Sequence, residues 1–318
     1  MKISVVLCTF NRCAILPSAL DSIAAQQLPD TVAWEVIVVD NNSRDQTRGV
    51  VEKYCATYPV RFRYVLETQQ GLSRARNAGI SEATGEVIAF TDDDVVAEPT
   101  WLQNLTESLR DERWAGAGGR IVAPSGFKPP PWLTLGGDMD LGGPLALFDL
   151  GDAFGELKRA PYGANMAFRR SMFEKYGGFR VDLGRCGSLL LSGEDTEFCN
   201  RLLAGSEHLC YVPSAVVHHP VPPDRLQKKY FNNWWFEFGR GRVIERRRRP
   251  PVLGVRREWI SILNLLCRLL PSRAMRWLFA PTAQQRFYFQ CQLSLTVGEL
   301  AQNYRVALER GHEREVQS

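Results

Sequence analysis

Apolar residues in this chain form short, nearly unbroken runs that alternate with stretches of helical period. Ile3-Ser4-Val5-Val6-Leu7-Cys8 reads as a buried strand opening into the polar turn Thr9-Phe10-Asn11-Arg12. Over residues 14–27, Ile15, Leu16, Ala19, Leu20 and Ile23 recur at helical spacing. Trp34 to Val39 is a second strand, ending at Asp40-Asn41-Asn42-Ser43, and a helix over 45–56 and a strand over 61–66 follow. Gly71-Leu72-Ser73 introduces a helix to about Ala83. Val87-Ile88-Ala89-Phe90 is the next strand, then a helix marked by Trp101, Leu102, Leu105 and Leu109, then a strand over Ala117–Val122. Strands alternating with helices predict a mostly parallel, Rossmann-like α/β sheet flanked by crossover helices.

The pattern changes after Val122. From Ala123 to Pro161, Pro129-Pro130-Pro131, Gly136-Gly137 and Gly142-Gly143-Pro144 interrupt any period. A loop of this length inside a domain predicts a mobile segment. An extended pattern resumes at Tyr162–Arg169, Gly193-Glu194-Asp195 opens a helix to about Ala204, and Tyr211–Val217 is a last strand before His218-His219. From Arg225 on the chain reads as helix. The expected organisation is 1–122 for one half of a domain, 123–224 for its other half, and 225–318 as a basic helical extension.

Charge sharpens that division. The whole chain carries a formal +4, but residues 221–318 hold 18 basic against 8 acidic residues, leaving 21 against 27 in residues 1–220. With 45% hydrophobic and 23% charged residues, the composition is that of a globular enzyme. The eight cysteines include no C-x-x-C pair and no metal-finger spacing, and several sit in apolar runs, which favours a reducing compartment. No signal-peptide core and no long uncharged apolar run is present, so a cytoplasmic protein is expected.

Three carboxylates, Asp92-Asp93-Asp94, close the strand that begins at Val87. Alternation puts Asp92 and Asp94 on one side and Asp93 on the other. Adjacent like charges raise one another's pKa unless a cation holds them, and Mg²⁺ is commonly held by one or two carboxylates plus substrate phosphates. A solvated acidic turn capping the helix near Pro99 is the bland alternative. Against it, three strands end in polar or acidic residues, and the open end of an α/β sheet is where ligands bind.

Together these segments resemble the family 2 glycosyltransferases of the GT-A fold. Val5-Val6-Leu7-Cys8-Thr9-Phe10-Asn11-Arg12, Val38-Val39-Asp40-Asn41-Asn42-Ser43, Gly71-Leu72-Ser73-Arg74-Ala75-Arg76-Asn77-Ala78-Gly79 and Phe90-Thr91-Asp92-Asp93-Asp94 look like that family's signatures in order, over residues 1 to about 240. The resemblance implies a nucleotide-diphosphate sugar donor (UDP-, GDP- or dTDP-linked) bound by Thr9, Asn11, Arg12, Asp40, Arg76, Asp92 and Asp93, with Thr9 and Asp40 at the base and Asp92 at the ribose. It implies Mg²⁺ or Mn²⁺ on Asp94 and on one histidine of the tandem pair, His219 being favoured. It also implies an acceptor floor at Gly163, Ala164 and Asn165, and Asp195, beside Glu194, as the catalytic base of an inverting transfer. The implied acceptor is a glycan, a lipid-linked glycan or another hydroxyl compound.

Other classes fit less well. Sugar-nucleotide nucleotidyltransferases carry a Gly-rich basic loop after the first strand, which Thr9-Phe10-Asn11-Arg12 is not. A dead sugar- or lipid-binding module predicts loss of Asp92, Asp94 and Asp195, all of which are present. In the extension, Arg246-Arg247-Arg248-Arg249 and the apolar series Trp259, Ile262, Leu263, Leu266, Leu269 and Leu270 read as a basic amphipathic element. It predicts a peripheral contact with an anionic membrane surface, on the inner face of the plasma membrane, and no nucleic-acid partner.

Overall fold

In a computed structural model, residues 1–187, 191–246 and 257–315 are described. Strand β1 (Lys2–Thr9) is central, and β2 (Ala33–Asp40), β3 (Phe62–Leu66) and β4 (Val87–Asp92) join it in parallel in the order β3-β2-β1-β4. Both faces of β1 are covered, and Ile3, Val5, Val6 and Leu7 are buried, which is why the strand reads as a continuous apolar run. Helices α1 (Leu16–Ala24), α2 (Thr47–Thr57) and α3 (Leu72–Glu82) make the crossovers. Pro17 sits in the first turn of α1, where its missing N–H costs nothing.

Beyond β4 the sheet is mixed rather than parallel. The short strand β5 (Val96–Ala97) and helix α4 (Trp101–Glu107) lead to β6 (Trp114–Val122). A two-residue strand β7 (Gly155–Glu156), then β8 (Asn165–Arg169), α5 (Arg170–Tyr176), α6 (Glu194–Ala204) and β9 (His208–His218) complete this part. β8 runs antiparallel between β4 and β6, β6 pairs in parallel with β9, and β5 and β7 pair antiparallel with β9. Phe90, Phe168, Phe173, Phe179 and Phe198 pack edge-on or stacked behind β4 and β8, Phe173 and Phe198 with centroids 4.7 Å apart.

Register sets the working end. Thr9 lies opposite Asp40 and Cys8 opposite Asp92, so three strands finish at one level. Asn165 starts β8 opposite Thr91 at the same level. Val96 pairs with His218, which returns the chain after Asp94 alongside the end of β9.

This sheet with its helices, running to Val221, is one compact unit. A second unit comprises Lys128–Pro144, a stretch ending at Gly193 and the described residues from Pro222 on. It contains α7 (Lys228–Arg246), α8 (Arg257–Asn264), α9 (Leu270–Leu278) and α10 (Ala283–Glu315), with a π turn over Leu265–Leu269 joining α8 to α9. Trp132 packs edge-on against Phe231 and Phe287, with centroids 5.2 and 4.7 Å away. The weakly periodic segment 123–161 is thus tied down at several apolar residues and exposed between them. In the first unit Phe148 is 1% exposed and exchanges backbone hydrogen bonds with Ile121; in the second, Leu133 and Leu141 are buried. Isolated apolar residues among prolines and glycines carry no period, so this packing leaves no trace in the pattern. Arg247, Arg248 and Arg249 of the basic run lie outside the described residues.

Candidate active site

The loops after β1 and β2 are stitched together. Asn11, with φ 52°, donates its N–H to the Ser43 hydroxyl and accepts the Arg44 N–H at 2.7 Å. Left-handed backbone is tolerated by asparagine better than by most residues. Thr9 is 3% exposed, and its carbonyl accepts the Asn41 N–H. Asp40 accepts the Ser43 N–H at 2.8 Å and the Tyr64 hydroxyl at 2.9 Å. Burial and this contact push Tyr64 up to about 12. Asn41, which pattern reasoning passed over, accepts the Gly71 N–H and donates to the Glu67 and Gln69 carbonyls, fixing the entry to α3. Its only signal in the sequence is a short amide directly after a strand-ending aspartate.

From α3, Arg76 points inward and is 3% exposed. It donates to Glu194 Oε1 at 2.6 Å and lies 3.5 Å from Asp92 Oδ1. Burial alone would lower its pKa, but Glu194 and Asp92 hold it above its ordinary value. The cation is therefore committed to two carboxylates, rather than standing free as a fork for a base or phosphate. Asn77, one residue on, exchanges hydrogen bonds with Phe179, and the Ser73 hydroxyl donates to the Leu183 carbonyl. The α3 signature thereby anchors the segment from Phe179 to Gly187. Arg185 in that segment is close enough to lower the pKa of Asp92, and nothing in the sequence singled it out.

The aspartate triplet divides as alternation predicts. Asp93 is buried, and desolvation and Asp94 push its pKa up to about 7 against the pull of Thr9 and Arg12. Asp92 and Asp94 are partly open. Burial raises the pKa of Asp92 despite Arg76, and Asp94 adds to the rise. Asp94 lies 3.6 Å from Arg12 Nη1 and 3.5 Å from His219 Nε2. The tandem histidines have separate surroundings: His219 is 2% exposed at Asp94, while His218 turns to Glu98 at 3.2 Å.

No group of three or more acidic, histidine or cysteine side chains is gathered as a metal cage among the described residues. The donor set nevertheless fits a hard divalent ion. One carboxylate and one imidazole converge beside two carboxylates whose charged forms are disfavoured, and such an ion completes its shell with phosphate and water oxygens.

Asp195 opens α6 together with Glu194. Its carboxylate accepts the Gly163 N–H at 3.1 Å and the Thr196 N–H at 2.7 Å. Burial and the neighbouring Glu194 raise its pKa to about 6, against the opposing effect of Arg76. A Cβ at Gly163 would lie 2.0 Å from Arg76 Nη2, so a larger residue there would displace the guanidinium. Among the described residues, Glu194 Oε2 is buried without a hydrogen-bond partner.

Asn165 needs correction as an acceptor contact. It is fully buried, accepts the Trp101 indole N–H, and donates to the Arg120 and Ala215 carbonyls. It is a bolt joining α4, β6, β8 and β9, spent before any acceptor arrives. Ala164 is likewise 1% exposed, which leaves Gly163 as the part of the expected floor that meets the polar cluster.

Comparison with known proteins gives the family of the chain. Residues 4–177 match the family described as Glycosyl transferase family 2. The chain belongs to that family and is a glycosyltransferase. It is 29% identical over 305 residues to the succinoglycan biosynthesis protein ExoM of Rhizobium meliloti, covering 95% of this chain and 92% of that one. It is 28% identical over 246 residues to the glucosyl-dolichyl phosphate glucuronosyltransferase of Haloferax volcanii, covering 74% and 75%. The fold is that of GT-A glycosyltransferase structures. A mannosyltransferase from Pyrobaculum calidifontis, solved with GDP-Man and Mn²⁺, superposes with a TM-score of 0.62 at 20% identity over 94% of this chain and 86% of that one. Residues 1–349 of Staphylococcus aureus TarS, solved with UDP, give 0.53 at 17% identity over 96% and 92%.

Proposed function

We propose that this glycosyltransferase moves a sugar from a nucleoside diphosphate to a hydroxyl of a glycan or lipid-linked glycan, with inversion, in polysaccharide assembly at the cytoplasmic face of a membrane. The observation that carries the reading is Asp195. It is a half-buried carboxylate fixed by two backbone N–H groups and raised to about 6, so it is ionised at neutral pH yet basic enough to take a proton.

In the proposed step the acceptor O–H gives its proton to Asp195 while its oxygen attacks the anomeric carbon. The bond from that carbon to the diphosphate oxygen breaks, and the diphosphate leaves with the electron pair. Asp94 and His219 are the residues suited to hold Mg²⁺ or Mn²⁺, which would supply Lewis-acid neutralisation of the leaving group's charge. Thr9, Asp40 and the Asn11–Arg12 turn are assigned to the nucleoside end, where Asp40 still has lone pairs for a base N–H. Asp92 is assigned to the ribose, with Arg76 orienting it rather than binding donor directly. Support comes also from structures of this fold, one solved with GDP-Man and Mn²⁺ and another with UDP, GalNAc and Mn²⁺.

A panel of UDP-, GDP- and dTDP-sugars with glycan acceptors, read by nucleoside diphosphate release and by anomeric NMR of the product, tests the reading. The expected result is diphosphate release with an inverted linkage. Formation of nucleoside triphosphate from donor and pyrophosphate would instead make the chain a nucleotidyltransferase.

A further inference from the structure

In the helical unit, α8, the π turn and α9 form one uninterrupted helical rod from Arg257 to Leu278, with Pro271 in the first turn of α9. The rod is apolar on more than one side. Ile262 and Leu265 are 8% and 3% exposed and are its buried side chains. Trp259, Leu263 and Leu266, spaced i, i+4, i+7 and so on one face, are 44%, 60% and 47% exposed. After the π turn, which changes the phase of the helix, a second outward cluster follows. Trp277, Leu278 and Phe279 are 38%, 60% and 70% exposed where the chain turns into α10. The expected stripe therefore splits into buried Ile262 and Leu265 and a set of exposed apolar side chains that continues past Leu270 to Phe279.

Charge surrounds this apolar surface. Residues 257–286 hold Arg257, Arg268, Arg273, Arg276 and Arg286 against Glu258 alone. Arg273 turns inward to the Gln292 carbonyl and the Thr296 hydroxyl. Arg268, Arg276 and Arg286 are exposed. A second copy of so basic a face would be repelled. No described helix is long and apolar enough to cross a membrane. Large aromatic and aliphatic side chains flanked by arginines suit the boundary between headgroups and acyl chains, where indole rings settle and anionic lipids attract the charge.

We infer that the rod Arg257–Leu278 lies flat in the surface of an anionic leaflet, inserting Trp259, Leu263, Leu266, Trp277, Leu278 and Phe279. Such a surface suits a lipid-linked acceptor, and that pairing rests on the transferase reading. Leaflet binding itself needs neither donor nor acceptor, so the two ideas fail separately.

The test is sedimentation of the full chain with phosphatidylcholine vesicles, with and without phosphatidylglycerol, at low and high salt. Binding should require phosphatidylglycerol and weaken with salt. The combined variant Trp259→Ser/Leu263→Ser/Leu266→Ser should lose at least ~10-fold in partitioning. Its melting curve and nucleoside diphosphate binding should stay unchanged, since these side chains face outward. Arg268→Glu/Arg276→Glu should remove the preference for anionic lipid. Quenching of tryptophan fluorescence by brominated acyl chains should occur in the parent and fall in the serine variant. The inference is overturned if the parent fails to sediment, if both variants sediment like the parent, or if the apolar face instead joins copies into a dimer that the serine variant dissolves.

Discussion

Arg76 lies in the field of Glu194, Asp92 and Asp195, and how its charge is shared sets what Asp195 can do. A base must be ionised, so a carboxyl raised to about 6 gives a transferase whose kcat/KM falls as pH drops through that value. The same shift bears on stability with a definite sign. The folded state keeps the Asp195 proton to higher pH than the unfolded chain does, so this residue's contribution favours folding at low pH and is lost as pH rises from about 4 to about 6. Asp195→Asn should leave nucleoside diphosphate binding within about twofold while kcat drops at least ~10²-fold; calorimetry beside a turnover assay separates the two, and parallel losses would make Asp195 structural. Glu194→Gln removes the nearest negative charge and frees Arg76 toward Asp195. The acid limb of the pH profile should therefore move to lower pH, and a limb that stays in place or rises would contradict the coupling. At this scale the sequence showed which residues carry charge but not how they are spent. Asp94 and His219 lie 3.5 Å apart and Asp195 opens α6 beside Glu194, whereas Asn165 looked like a surface amide because burial depends on β6, β8 and β9 meeting around it.

Elements were legible where their contacts are local or their burial is two-sided. β1, β2 and β4 read as apolar runs because helices cover both faces, and α1 and α3 were expected within a few residues of where they lie. β5 and β7 have two residues each, so no local pattern announces them, whereas β8 was expected as extended chain at Tyr162–Arg169 but its antiparallel direction follows only from pairing between β4 and β6. The segment after Val122 gives the clearest test of this difference. Phe148 is tied to Ile121, and Leu157 donates to the Leu209 carbonyl, whereas Leu150 and Phe154 are 43% and 53% exposed. Hydrogen exchange should be slow at the Phe148 and Leu157 amides and fast between Gly151 and Phe154. Uniformly fast exchange across 145–157 would restore the mobile-loop reading. In the helical unit, α7 and α10 cross at two glycines. A Cβ on Gly239 would lie 2.2 Å from the Leu295 carbonyl oxygen, and one on Gly298 would lie 2.0 Å from that of Phe236. The obstacles are backbone atoms, so Gly298→Ala should cost about 1–3 kcal/mol through overpacking, despite alanine's better helix propensity. A denaturant midpoint that rises on this substitution would contradict the close crossing.

Over the whole chain, charge separates into an acidic 220 residues, 21 basic against 27 acidic, and a basic remainder, 18 against 8. The site belongs to the acidic part, where Asp92, Asp93, Asp94, Glu194 and Asp195 crowd one strand-end region and Arg76 is already committed. A nucleoside diphosphate brings further negative charge to that region. Donor binding should therefore depend on a divalent cation through electrostatics as well as through direct coordination. Titration of a nucleoside diphosphate by calorimetry should give affinity at least ~10-fold weaker in EDTA than with Mn²⁺, the scale of a principal charge contact. The salt dependence should also change sign. With the cation present, added salt screens attraction and weakens binding; in EDTA it screens repulsion from the carboxylates and strengthens the weak binding that remains. Asp94→Ala removes one of those charges and one of the candidate ligands together. It should lose most of the Mn²⁺ effect while binding nucleotide in EDTA slightly better than the parent. Binding that is equally tight with and without the ion, and that weakens with salt in both conditions, would mean that basic side chains and not a metal neutralise the diphosphate, with Arg12 and Arg185 as the first residues to substitute.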